Sequence, residues 1–405
     1  MTQAKHIVPA EDLPNAIALQ VSIPFMFGSI SLAACYGSSF FLVDALTAVR
    51  QNDTTAGAVV SIGTIATILC SLVAGRIADV LGVMRTITLA AAIMALAMVC
   101  FASASLATLI AYIGGLLLGI GWSVFYILAP LQIFCHVRAE ARIKYLTLLS
   151  ASQMLGIGLA APLARALAEA AGSYIAVYCL FAAACLAGAA LLESAGRVLA
   201  QAPQIEMPAV RLTFGSLVRT FKANTRYPVI MIGIAACVFA GLSTFQTLYA
   251  TSRAQSADTF FLVFTLTAVF LRFAVAPIIG LWRLERVAAF LILCTIAGLF
   301  VLLMNVGSPA IYILGTMMFA LGYGLSYSTL NSMVVHIAAI DGSSLAVASQ
   351  VFTLSYFIGL FGFPYIAGQI IGVGSFDYLL MSMMLLVGAN GALLTIQVFV
   401  SGGRH

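Results

Sequence analysis

Charge is what this sequence has least of. Only 8% of its 405 residues are Asp, Glu, Lys or Arg, against about a quarter in a soluble globular domain, so water cannot be the solvent for most of the chain. Acidic groups are the scarcer sign, and no Asp or Glu falls at the middle of an apolar run, which leaves coupling through a buried carboxylate without support. No two cysteines are spaced as CxxC. All eight (Cys35, Cys70, Cys100, Cys135, Cys179, Cys185, Cys237, Cys294) lie in or at the ends of apolar segments, where they serve as small packing residues. His136 and His336 have no acid at metal-ligand spacing, and no nucleophile motif, phosphate-binding loop or dinucleotide fingerprint occurs. ATP-driven pumping, metal chemistry and enzymatic activity are therefore not expected, and no cofactor is. The first residues include Glu11 and Asp12 and lack the basic start and cleavage site of a secretory signal, so the first apolar segment is expected to direct insertion itself.

What is present is hydrophobicity, 63% of the residues. A helix needs about 20 apolar residues to cross a hydrocarbon core of roughly 30 Å. Such runs occur near 16–43, 57–75, 86–105, 108–134, 144–167 and 173–193, and again near 228–250, 258–280, 287–306, 309–335, 344–371 and 376–400. Between the sets, 194–227 turns polar, with Arg197, Arg211, Arg219, Lys222, Arg226, Pro203 and Pro208. The expected organisation is a six-helix bundle over 1–193, a linker over 194–227 and a second six-helix bundle over 228–405.

The basic residues report topology. With both termini inside, the inner segments hold Lys5, Arg76, Arg85, Arg138, Arg142, Lys144, the five linker residues, Arg283, Arg286 and Arg404, against Arg50 and Arg253 outside. Both termini and the linker are thus expected in the cytoplasm. No basic patch interleaved with aromatics suggests nucleic acid. The halves also repeat: Leu118 to Ser123 (LGIGWS) aligns with Leu321 to Ser326 (LGYGLS) at an offset of 203 residues, which also carries Gly156 onto Gly359, and Gly172-Ser173 has its echo in Gly374-Ser375.

After the second span stands Gly75-Arg76-Ile77-Ala78-Asp79-Val80-Leu81-Gly82-Val83-Met84-Arg85. It resembles the signature of the major facilitator superfamily between helices two and three, a Gly-x-x-x-Asp-x-x-Gly pattern followed by basic residues. The glycines permit a tight turn, and Asp79 can cap a helix or pair with an Arg. The resemblance implies an all-α membrane protein with twelve transmembrane helices in two pseudo-symmetric bundles, in a bacterial-type inner membrane, working by alternating access as a monomer. Two departures weaken finer inferences. The second-half copy reads Gly280-Leu281-Trp282-Arg283-Leu284-Glu285-Arg286, and Gly115 stands where many proton-coupled members carry an arginine. Gly156, Gly158 and Ala161-Pro162 in the fifth span faintly echo the antiporter pattern, or simply permit close packing.

Ionisable groups within spans are functional candidates by default. Arg272 in the eighth span is the first: its guanidinium either pairs with a carboxylate or phosphate of a substrate or satisfies carbonyls and reaches the interface. Asp44 and Arg165, near the outer ends of the first and fifth spans, either form an external gate or are solvated. Among polar and aromatic residues in spans, which also include Tyr323, Gln132 and Gln350, the substrate-binding set is Tyr36, Trp122, Tyr126, Gln153, Gln246, Tyr249, Tyr327, Asn331 and Tyr356, with Arg272. The gating set is Gly75, Asp79, Gly82, Arg85, Asp44 and Arg165. The function expected is secondary transport of a small organic solute, led by export of an anionic metabolite or siderophore-like carboxylate, with coupling to a proton or counter-solute open. Proton-coupled efflux of lipophilic drugs is the alternative, and a lipid scramblase or membrane-embedded enzyme is the reading from another class. Because the signature lies at the inner face, Asp79→Asn is expected to slow conformational cycling more than it weakens substrate affinity. Weakened binding with unchanged cycling kinetics, measured side by side in proteoliposomes, would remove it from the gating set.

Overall fold

The computed structural model describes residues 9, 12–42, 45–46, 53–204, 214–275 and 282–402. Among them the chain is helical, without a β-strand. In the first half come α1 (Leu19–Gly37), α2 (Asp53–Leu81), α3 (Val83–Ala102), α4 (Thr108–His136), α5 (Ala139–Ala171) and α6 (Tyr174–Leu199). The second has α7 (Phe214–Lys222), α8 (Arg226–Thr244), α9 (Gln246–Ser252), α10 (Ala257–Val275), α11 (Leu284–Leu303), α12 (Pro309–Ile340), α13 (Leu345–Val373) and α14 (Phe376–Gly402). All but α7 and α9 are long and apolar enough to cross a membrane, twelve among the described residues. Chain contacts divide the protein into two units, Met1–Arg211 and Leu212–His405.

Within the first unit α1 packs on α5 and α6, α4 on α2 and α3, and α3 on α6. That set of pairs is unchanged when α1, α2 and α3 are exchanged for α4, α5 and α6, the mark of a three-plus-three internal repeat. The second unit repeats it: α8 packs on α13 and α14, α12 on α10 and α11, and α11 on α14.

Lipid tails are as apolar as leucine, so these helices associate by close packing at small residues. A Cβ on Gly156 of α5 would run into Ile30 and Ala33 of α1, and one on Gly359 of α13 into Gly233 and Ala236 of α8. Every member of the second set stands 203 residues after its counterpart, as the sequence repeat requires. The fourth and tenth spans behave otherwise. Gly121 of α4 packs on Ala90 and Met94 of α3, and the residue that packs on the matching sites of α11, Leu291 and Thr295, is Gly322. Likewise Gly114 meets Phe101, and Gly315 meets Leu302. Gly119 instead meets α2 at Gly63, as Gly324 meets α10 at Ala268. The alignment of LGIGWS with LGYGLS is thus corrected by two residues: Gly121 corresponds to Gly322 and Trp122 to Tyr323.

Turn chemistry explains the boundaries. Gly82 alone separates α2 from α3; its φ of 84° is open to glycine and costly for other residues, and its carbonyl accepts from the Thr86 amide and hydroxyl. Ser173 caps α6 by accepting from the Ile175 amide, and Asn305 holds the Gly307 and Ser308 amides ahead of Pro309. Two expected spans are shorter. The first ends at Gly37 and passes into a 3-10 turn, Ser38–Phe41, and the seventh breaks at Phe245 before continuing as α9. The expected linker start is helical, since α6 runs on to Leu199. Of the degraded signature copy, Gly280 and Leu281 lie outside the described residues.

Gly359 and Gly362 share α13, but a Cβ on Gly362 meets open space. Gly362→Ala should gain up to about 1 kcal/mol of helix propensity, whereas Gly359→Ala should lose about 1–3 kcal/mol to overpacking against α8. Thermal unfolding of the purified variants checks this, and equal melting temperatures would contradict the close approach.

Candidate solute-binding site

Each unit carries a stacked aromatic pair contributed by its first and fourth spans. Tyr36 of α1 lies on Trp122 of α4 with ring centroids 4.3 Å apart and planes 13° from parallel. Phe239 of α8 lies on Tyr323 of α12 at 4.6 Å and 3°. One turn along α4, Tyr126 tilts against Trp122 at 5.3 Å; one turn along α12, Tyr327 meets Tyr356 of α13 edge-on at 5.3 Å. Helical spacing of four residues puts each column on one face. By the contact-derived register, Tyr36, Trp122, Tyr126 and Gln153 of the first unit correspond to Phe239, Tyr323, Tyr327 and Tyr356 of the second.

The outer rings, Tyr36 and Phe239, are half-buried, while Trp122 and Tyr323 behind them are buried. Gln153, buried on α5, has no hydrogen-bond partner for its Nε2 among the described residues. In the second unit the hydroxyls engage one another: Tyr323 Oη donates to Tyr356 Oη at 3.4 Å, and Tyr327 Oη and Thr353 Oγ1 are also 3.4 Å apart. Further along the α12–α13 seam, the Ser349 hydroxyl donates to Asn331 Oδ1 at 3.5 Å.

Arg272 belongs to the same surroundings. It is 2% exposed, so its side chain does not reach out to the interface. Its Nη1 donates to the Ala268 carbonyl at 3.3 Å and lies 3.8 Å from the position a Cβ on Gly324 would take, beside Tyr323. Phe264 of α10 packs beside this stack, 5.3 Å from Phe239 and 6.1 Å from Tyr323. Burying a guanidinium here is costly. The group also supplies the strongest handle for an anion in this unit, a planar fork of donors.

Two of the expected binding residues make hydrogen bonds within the bundle. Gln246 and Tyr249 are fully buried in α9 and committed to bonds within the bundle: Gln246 Nε2 donates to Tyr312 Oη and Tyr249 Oη to the Leu302 carbonyl, each at 2.7 Å. They fasten the broken end of the seventh span to α11 and α12. Next to them Arg253 pairs with Asp377 at 2.6 Å, tying the α9–α10 turn to α14. In the signature, Gly75 is buried while Asp79 and Arg85 are exposed on either side of the Gly82 turn. Arg165 is half-buried on α5, and Asp44, its expected gate partner, lies outside the described residues. Among the described residues no group of His, Cys, Asp or Glu is arranged to hold a metal. Sequence reading passed over Phe239, which has no polar atom to draw attention within an apolar span; its signal is the repeat itself, 203 residues after Tyr36.

The sequence profile of the Major Facilitator Superfamily matches residues 25–360. The chain belongs to the Major Facilitator Superfamily. Solved structures of the superfamily share its fold. The transporter FucP in the outward conformation aligns with a TM-score of 0.70 at 15% identity over 93% of this chain and 99% of that one. The human organic anion transporter MFSD10 aligns at 0.69 and 16%, over 93% and 99%. The proton:xylose symporter XylE aligns at 0.66 and 15%, over 94% of each chain. No curated protein matches the sequence.

Tyr249→Phe should cost about 1 kcal/mol of stability through the lost bond to Leu302 and leave solute affinity unchanged. Urea or thermal unfolding together with a binding isotherm tests both halves, and a lost affinity would place Tyr249 at the solute.

Proposed function

We propose that this superfamily member is a secondary transporter that moves a small organic anion across the membrane by alternating access. The observation that carries this reading is Arg272, a guanidinium 2% exposed beside the Phe239–Tyr323 stack. A desolvated guanidinium pairs bidentately with carboxylate or phosphate, and aromatic faces suit the apolar or ring portion of such a solute. The organic anion transporter among the structural relatives is in keeping with it, while the relatives named for fucose and xylose handle sugars with protons. The fold alone therefore does not choose the substrate.

In this reading the solute is an anionic metabolite or siderophore-like carboxylate and the direction is export from the cytoplasm. Tyr36, Trp122, Tyr126, Gln153, Tyr327, Asn331 and Tyr356 serve the site with Arg272. Gly75, Asp79, Gly82 and Arg85 serve the conformational change, as do Asp44 and Arg165 at the other end. Segregation of basic side chains to one end of the second unit supports cytoplasmic termini, with 194–227 as linker between bundles over 1–193 and 228–405. One chain holds both bundles and acts as a monomer in an inner membrane. Either a proton or a counter-solute drives it.

Efflux of lipophilic compounds is the second reading, favoured by the Tyr36–Trp122–Tyr126 column of the first unit, whose aromatic faces ask for no charge on the ligand. Thermal stabilisation of wild-type and Arg272→Gln protein across organic anions, neutral sugars and lipophilic cations separates the two, because ligands bound to the folded state raise its stability. The expected outcome is stabilisation by an anion at 100 times its Kd worth about 2.7 kcal/mol, absent in a still-folded Arg272→Gln variant. Stabilisation retained in the variant, or confined to lipophilic cations, makes Arg272 structural and favours drug efflux.

A further inference from the structure

We infer that α7 is an interfacial anchor that docks on anionic phospholipid headgroups. The helix ends at Lys222, and α8 begins at Arg226, so the turn between them leaves α7 no freedom to stand away from the membrane surface where α8 enters. The corner is fixed: Thr225 Oγ1 donates to the Thr220 carbonyl at 3.0 Å, the Arg226 amide to Ala223, and Arg226 Nη2 to Tyr227 Oη at 2.9 Å. Thr220 and Thr225 are buried against the unit. Phe221 is 44% exposed, and Arg219 and Lys222 are exposed. An exposed aromatic at this height is costly in water and favourable among acyl chains. Lys222, one residue on and so roughly 100° around the helix, is placed to reach a phosphate beside it.

The charges around α7 point the same way. Helix directions bring Arg219, Lys222, Arg226, Arg283 and Arg286 to this end of the unit, with Glu285 and Asp341 as its described acids. The opposite end holds Arg253 with Asp258 and Asp377. No Asp or Glu occurs between Glu206 and Asp258. Trp282, 65% exposed next to Arg283, marks the level of the headgroups, where tryptophan gathers. A basic rim with exposed aromatics at the mouth of a spanning helix fits a negatively charged lipid surface, to which each Lys or Arg adds about 1 kcal/mol.

The test is amide hydrogen exchange across 214–222 in the full-length protein, reconstituted in vesicles of phosphatidylcholine alone or mixed with phosphatidylglycerol, with α12 as internal reference for folding. Exchange in α7 should slow about tenfold or more in the mixed vesicles, and the slowing should vanish at high salt and in the Arg219→Gln/Lys222→Gln variant with α12 unchanged. Phe221→Ser should speed exchange in both lipids. Equal rates for the wild type in the two lipids, or the same slowing in the double variant, would overturn the proposal. So would slowing by soluble glycerol phosphate in phosphatidylcholine vesicles, which would assign the basic rim to a free phosphate.

Discussion

Hydrocarbon offers no hydrogen bonds, and every backbone amide and carbonyl that enters it must already be paired within the chain. From that follow the long helices and the backbone bonds that many polar side chains make. Ser29 turns back to the Phe25 carbonyl, and Thr67 to Gly63 and Gly119. Ser355 reaches Val229 and Asn390 reaches Met231, both across helices. Even the thiols follow suit, Cys35 donating to Phe181 and Cys185 to Ala91. With hydrocarbon giving the helices no hydrophobic drive to associate, their pairing is set by where glycines allow backbones to approach. The same pairs of helices therefore meet in both units.

On that repeated frame the two units have different chemistry. The stacked pair, the ring one turn beyond and the residue from the fifth span recur, so the scaffold of the site is shared. Its polar content is not. The first unit has Gln153 where the second has Tyr356, and the second adds a hydroxyl chain from Tyr323 to Tyr356 and the buried Arg272. A repeat of this kind keeps the same aromatic shape in each unit while the buried guanidinium belongs to the second alone. In the second unit, the bonds of α9 and the Arg253–Asp377 pair brace the end where the seventh span breaks.

Span number, class and family were legible because they rest on composition and on Gly82, whose positive φ only its own residue type tolerates cheaply. The aromatic residues Tyr36, Trp122, Tyr126, Tyr327 and Tyr356 were legible as polar-tipped rings in apolar runs. Gln246 and Tyr249 show the limit of that signal: a polar atom in a span signals a partner, and letters do not say whether the partner is solute or helix. The repeat register failed in the fourth and tenth spans because Gly-x-Gly matches itself when shifted by two. Which glycine faces α2 and which faces α3 is decided by packing.

The nearly parallel stacking in each unit makes a laminated wall, with Tyr36 or Phe239 as the face and Trp122 or Tyr323 as the backing. A solute resting on such a wall would touch the half-buried ring, while the flatness and stiffness it meets come from the layer behind. The backing ring would then govern recognition without contact, and a difference in backing between the units, indole in one and phenol in the other, would be felt by a solute that never reaches either.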